Sequence, residues 1–182
     1  MAEKYRLSKT LLSQEEIEKR AEEIGAQITK DYPGEEIVLI GILRGAIMWM
    51  TQVMKAIDNP LTTIDFMAVS SYGASTVSSG VVKINKDTDN EVSGKHVIII
   101  EDIVDTGVTL DYLVHYLKGK NPKSVKICTL LDKPEGRKVP VDVDYVGFEV
   151  PNMFVVGYGL DVNQKYRNLP YITFVEVDAD EE

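Results

Sequence analysis

The sequence predicts an α/β fold with a mainly parallel central sheet flanked by helices. Residues 37–42 and 97–100 are short unbroken apolar runs, the pattern of strands covered on both faces, and 125–131 supplies another apolar strand. Helical stripes alternate with these runs, and polar, glycine-containing turns join strand to helix. The 182 residues suit one domain, 1–182, large enough to bury roughly 70% of its unfolded surface.

The elements follow in order. Ser13 opens an S-x-x-E capping box that Glu16 completes, and Ile17, Ala21, Ile24 and Ile28 recur at spacings of four, three and four. That is an amphipathic helix, stopped by Tyr32-Pro33-Gly34. The strand at 37–42 leads through Arg44-Gly45 into residues 46–57. Met48, Trp49, Met50, Val53 and Met54 there read as a well-buried helix, expected in the core or at a subunit interface. Residues 61–69 and 81–84 look like a second strand pair. Between them, residues 70–80 hold eight small polar or glycine residues in eleven positions, the composition of a flexible loop. The strand at 97–100 precedes a polar turn, 102–109. Leu110, Leu113, Val114 and Leu117 then form a helical stripe ending near Gly119. The strand at 125–131 follows, and the acidic tail 178–182 is expected to fray.

Composition excludes several classes. Lysine and arginine total 20 against 29 aspartates and glutamates, a formal charge of −9 that repels phosphate backbones and opposes general nucleic-acid binding. With 44% hydrophobic and 27% charged residues, wholesale disorder is excluded. Cys128 is the only cysteine, so there is no disulfide scaffold, and its apolar strand makes it a small buried hydrophobe. No apolar run nears ~18 residues and the N-terminus leads into no signal-like apolar segment. A soluble cytoplasmic protein without membrane or nucleic-acid partners is expected. His96 and His115 lack any Cys or acid at metal-ligand spacing and read as structural or surface groups.

In α/β sheets ligands sit at the carboxyl ends of the strands. The turn after the strand at 97–100 concentrates Glu101, Asp102, Asp105, Thr106, Gly107, Val108 and Thr109. Gly107 lets consecutive N–H groups curl inward, the threonines add hydroxyls, and the next helix offers its positive end, a pocket for one phosphate. Glu101 and Asp102 cannot bind phosphate too, but suit vicinal hydroxyls or an Mg²⁺ shell. An acidic loop with an N-cap threonine would use the same residue types. Neither G-x-G-x-x-G nor G-x-x-x-x-G-K-[ST] is present, which disfavours a Rossmann dehydrogenase or a P-loop nucleotidase.

The string Ile100-Glu101-Asp102-Ile103-Val104-Asp105-Thr106-Gly107-Val108-Thr109 resembles the phosphoribosyl-pyrophosphate (PRPP) loop of type I phosphoribosyltransferases, in the hypoxanthine-guanine form. A second block runs in register with it: Asp132-Lys133, then Val146-Gly147-Phe148-Glu149-Val150-Pro151, then Phe154-Val155-Val156-Gly157-Tyr158-Gly159-Leu160-Asp161, closing at Tyr166-Arg167. The resemblance spans residues 41–172. It implies the type I fold, with a small hood and a flexible lid loop, and Mg²⁺-dependent transfer of phosphoribose from PRPP to hypoxanthine and guanine, giving IMP, GMP and pyrophosphate.

By the same resemblance Asp105 is the general base, with a helix N-cap as its alternative role. Glu101 and Asp102 hold the ribose hydroxyls and magnesium waters, and Thr106, Gly107, Val108 and Thr109 cradle the 5′-phosphate. Some relatives carry lysine at the position of Val108, a change that keeps the backbone N–H. Arg44, Gly45 and Arg167 match pyrophosphate contacts, and in relatives the peptide before Arg44 can be cis. Lys133 matches the donor to the purine O6, which opposes adenine, while Phe154 stacks on the base and the Val155 backbone meets it. Phe154 also fits a plain core strand with Val155 and Val156. Asp161 matches a purine-site residue and direct ligand of a second Mg²⁺. Ser71 and Tyr72 match the lid pair. A homodimer or homotetramer is implied.

Overall fold

The computed structural model describes residues 5–71 and 82–177, with the side chains of Ser71 and Val177 left aside. The chain order is β1 (Tyr5–Leu12), α1 (Gln14–Asp31), β2 (Ile37–Leu43), α2 (Ile47–Ala56), β3 (Thr62–Ser71), β4 (Val82–Lys86), β5 (His96–Val104), α3 (Val108–Lys118), β6 (Ser124–Asp132), β7 (Tyr145–Glu149), β8 (Val155–Val156) and β9 (Ile172–Val177). A six-stranded sheet runs β4-β3-β2-β5-β6-β7. Its pairs are parallel except for β3 with β4.

Strand periodicity distributes the apolar runs to two faces. From β2, Ile37 and Leu39 join Ile98, Ile100, Cys128 and Leu130 in a core closed by Ile17, Ala21, Ile24 and Ile28 of α1 and Trp49, Met50 and Val53 of α2. Val38, Ile40 and Ile42 face the other way, with Val97, Ile99 and Ile127, and are covered by Leu110, Leu113 and Leu117 of α3. Alternate residues of one strand thus reach opposite cores, which is why the run carries no polar gap. The Ser13–Glu16 capping box forms as its spacing predicts. Burial pushes the Cys128 thiol up to about 12, so it is chemically quiet.

A second, three-stranded sheet, β1-β9-β8, forms the small hood. Its cluster of Val156, Val162 and Val175 packs with Tyr5, Leu7, Tyr166 and Leu169. β1 was not foreseen: its register with β9 shifts twice, and Ser8, Lys9 and Thr10 are exposed, so no clean alternation marks it. The lid expected over 70–80 falls mostly outside the described residues. Ser71 closes β3, whereas the Ser71 side chain, Tyr72 and the acidic tail lie outside what is described. No helix among the described residues is long and apolar enough to cross a membrane.

Candidate active site

Strands β2, β5 and β6 run parallel, so the segments after their C-terminal ends lie along one edge of the sheet. Arg44-Gly45 follows β2, Asp102 to Val104 close β5 with Asp105 to Thr109 after them, and Lys133 follows β6. The peptide between Leu43 and Arg44 is cis. The carboxylate of Asp102 lies directly against Gly45, where a Cβ would overlap Oδ2. The turn after β2 and the end of β5 are thereby in contact.

The loop between β5 and α3 leads into the helix without an ordinary side-chain cap. Gly107, at φ 82°, is the N-cap of α3, and no side chain caps the helix. This left-handed conformation is where glycine is required. Neither a threonine nor Asp105 takes the capping role. The first-turn N–H groups of α3 therefore keep their capacity for an anion. A cavity of about 180 Å³ sits here, lined by Glu101, Asp102, Asp105, Thr106, Gly107 and Thr109 among others.

A second cavity, about 270 Å³, lies beside it. Lys133, Phe154, Val155, Leu160 and Asp161 line it together with Asp102, Ile103 and Asp105, which also line the first. Lys133 is only 6% exposed, and its ammonium donates to the Met153 carbonyl at 2.6 Å. Phe154 is 50% exposed. The core-strand reading therefore holds for Val155 and Val156 and fails for Phe154, whose ring is left at the cavity while its carbonyl accepts from Val175 N–H.

Electrostatics distinguish the acids. Glu101 is buried, and burial followed by the neighbouring Asp102 charge pushes its carboxyl well up. Asp102 is also raised by burial, opposed in part by hydrogen bonds and the Arg167 charge. Two adjacent carboxyls short of compensating charge fit a cation or hydroxyl donors. Among the described residues no three His, Cys, Asp or Glu side chains converge as a metal cluster. An Mg²⁺ here would draw most ligands from water and phosphate oxygens, its ordinary habit.

The two arginines 123 positions apart in sequence come together through a residue the sequence reading missed. The Gln164 side-chain oxygen accepts from Arg44 at 3.0 Å and from Arg167 at 3.2 Å. Arg167 also pairs with Asp161 at 2.6 Å and donates to the Gly159 carbonyl. The Gln164 N–H in turn donates to Asp161 at 2.7 Å. No periodicity marks such a contact. Also missed was Arg137, which donates to the Asp105 carbonyl at 3.0 Å and pairs with Asp132. Gly136, just before it, lies against the Asp105 carboxylate, with no room for a Cβ.

Two adjoining cavities, one at the amino end of α3 and one with a buried lysine and an exposed aromatic ring, thus stand where α/β folds bind ligands. Residues 8–163 match the phosphoribosyl transferase domain family, and the chain belongs to that family. It is 54% identical over 169 residues to the hypoxanthine-guanine phosphoribosyltransferase of Bacillus subtilis (strain 168), covering 93% of each chain. The enzyme of that name from Streptococcus thermophilus is 53% identical over 166 residues, 91% of this chain and 92% of the relative. Among solved structures, a hypoxanthine phosphoribosyltransferase from Staphylococcus aureus superposes with a TM-score of 0.90 at 47% identity, covering 93% of this chain and 92% of that one.

Proposed function

We propose that the chain transfers the 5-phosphoribosyl group of PRPP to an imidazole nitrogen of hypoxanthine or guanine, releasing pyrophosphate with IMP or GMP. The observation that carries this reading is the shared wall: Asp102, Ile103 and Asp105 line both cavities, so ligands in the two would meet there. The bond from ribose carbon 1 to the pyrophosphate oxygen breaks, and a carbon–nitrogen bond forms. The proton on that nitrogen passes to Asp105.

Each residue then has work suited to its place. Thr106, Gly107, Val108 and Thr109 receive the 5′-phosphate on N–H and hydroxyl groups. Arg44, Gly45 and Arg167 take the pyrophosphate, stabilising charge as it develops on the leaving group. Lys133 donates to the purine O6, Phe154 stacks on the ring, and the Val155 backbone meets its edge. An amino group at position 6, as in adenine, would face the ammonium donor to donor. Glu101 and Asp102 hold the ribose hydroxyls. Glu101 and Asp102 would also hold the waters of one Mg²⁺ and Asp161 would ligate a second; when bound, such ions neutralise charge on the departing pyrophosphate. Ser71 and Tyr72 are assigned to a lid that excludes water. A single domain over 1–182, supported by chain length, belongs to the same proposal, as do cytoplasmic location and a homodimer or homotetramer, the last supported by the resemblance.

The test is pyrophosphate release from PRPP and Mg²⁺ with hypoxanthine, guanine, xanthine, adenine or uracil. Nucleotide formation with hypoxanthine and guanine is expected. Activity confined to xanthine would move the substrate and keep the mechanism. PRPP binding without turnover on any base would overturn the enzyme.

A further inference from the structure

The segment after β6 grips the phosphate loop from outside. Arg137 Nη1 donates to the Asp105 carbonyl at 3.0 Å. The next two N–H groups, of Lys138 and Val139, donate to the Thr106 carbonyl at 2.9 and 3.0 Å. Two consecutive loop carbonyls are therefore pinned toward residues 137–139. A trans peptide points its N–H opposite to its C=O. Pinning the Asp105 and Thr106 carbonyls outward turns the Thr106 and Gly107 N–H groups the other way. Among the described residues no hydrogen bond takes either of these two N–H groups. Gly107 is buried, and a buried N–H without a protein partner is rare unless a ligand completes it.

The grip has one side-chain anchor. Arg137 uses Nη2 on the Asp132 carboxylate at the end of β6 while Nη1 holds the loop. Both side chains are largely buried, at 17% and 12% exposure. The Arg137 stem also packs against Gly107, where a Cβ would lie 3.1 Å from Cδ. A planar guanidinium can serve two acceptors at fixed separation, which an ammonium cannot. Asp132 adjoins Lys133, so the anchor stands on the strand end that carries the purine-side cation.

We infer that Arg137 is a positioning residue that sets the peptide orientation of the phosphate loop, so that affinity for the phosphorylated sugar depends on its fork. This rests on the proposed reading of the loop as a 5′-phosphate cradle. It assigns Arg137 no contact with substrate.

Two variants of the full chain test it. Arg137→Met keeps the stem and loses the fork; Arg137→Lys keeps a cation for Asp132 with one nitrogen. The readouts are KM for PRPP, KM for hypoxanthine, and calorimetric affinity for ribose 5-phosphate, a probe without pyrophosphate. Loss of one charge-assisted bond predicts that Arg137→Met weakens PRPP and ribose 5-phosphate about tenfold or more. KM for hypoxanthine should stay within about threefold, and Arg137→Lys should recover only part of the loss. A general structural defect would move both KM values together, and that result, or unchanged ribose 5-phosphate affinity, overturns the inference. If Arg137→Met does not fold, Arg137→Lys decides alone: weakened ribose 5-phosphate binding supports the inference and wild-type affinity overturns it. Wild-type protein that binds ribose 5-phosphate but converts no base would remove the proposed reaction and leave the Arg137 result standing. Normal turnover with an unaffected lysine variant would remove only Arg137's role.

Discussion

The Asp102 carboxylate and the backbone of Gly45 are in direct contact, although 57 positions separate them in the chain. A Cβ at position 45 would overlap the Asp102 carboxylate oxygen. The turn after β2 and the end of the parallel strand β5 are thereby locked at one spacing, and glycine is the residue that allows it. Gly45→Ala should push Asp102 away from its place in the wall common to both cavities. A displacement of about 1 Å at a reacting centre costs on the order of 10²-fold. Steady-state assay should show kcat/KM for PRPP falling by about that factor, with circular dichroism unchanged.

Lys133 is buried and spends its ammonium on the Met153 carbonyl in the free protein. In the complex the same group is assigned to the purine O6. Lys133→Gln replaces a charged donor with a neutral amide that can also accept. Loss of a charge-assisted bond predicts a rise of about 10-fold in KM for hypoxanthine. Discrimination against adenine should narrow at the same time, as measured by the ratio of kcat/KM for the two bases.

The Glu101 carboxyl is held well above its ordinary value by burial and the adjacent Asp102 charge. A raised folded-state carboxyl binds more protons than the unfolded chain between the two values. Stability from this group therefore falls as pH rises from about 4, the unfolded value, through the folded one. Glu101→Gln removes that dependence. Thermal unfolding of the ligand-free variant and wild type from about pH 4 to about pH 8 should show the variant gaining relative stability as pH rises. Asp65, where hydrogen bonds from Asn90 and Phe66 outweigh burial, titrates with the opposite sign in both proteins. That contribution cancels in the comparison, so parallel curves would contradict the assignment for Glu101.

Ser13 and Glu16 close the capping box of α1 reciprocally: Ser13 N–H donates to the Glu16 carboxylate at 2.8 Å, and Glu16 N–H to the serine oxygen at 3.3 Å. Ser13→Ala should cost about 1 kcal/mol. That corresponds to a fall of about 2–4 °C in thermal midpoint for a chain of this size. Catalytic constants should be untouched, since no residue of the cap or of α1 lines either cavity.

Legibility in the sequence followed contiguity. Glu101 to Thr109 is one unbroken string, and strand, turn and helix within it each have a local signature, so the loop proposed as a phosphate cradle could be picked out directly. β2 and β5 were legible because both of their faces are buried. The hood strand β1 was not: with Ser8, Lys9 and Thr10 exposed and two register shifts, its pairing is decided by β9 across the chain. Gln164 escaped for a related reason. It becomes significant only when folding places Arg44 and Arg167 on one side-chain oxygen. Arg137 sits just after a short 3₁₀ turn, Pro134–Gly136, which reads locally as any polar loop. Phe154 was ambiguous because an aromatic before two valines has the same pattern whether it points into a core or a cavity. Its exposed ring resolves that in favour of the cavity.

The account turns on Asp105, the one residue assigned a proton to move and one of three that line both cavities. Single-turnover formation of IMP from bound PRPP and hypoxanthine, in wild type and Asp105→Asn, addresses it most directly. Binding of PRPP and IMP, measured separately, should be close to wild type in the variant, while the chemical step slows by ~10²–10⁴-fold. An unchanged rate, or a loss wholly explained by weaker binding, would contradict the assignment and with it the reading of the shared wall as the reaction centre.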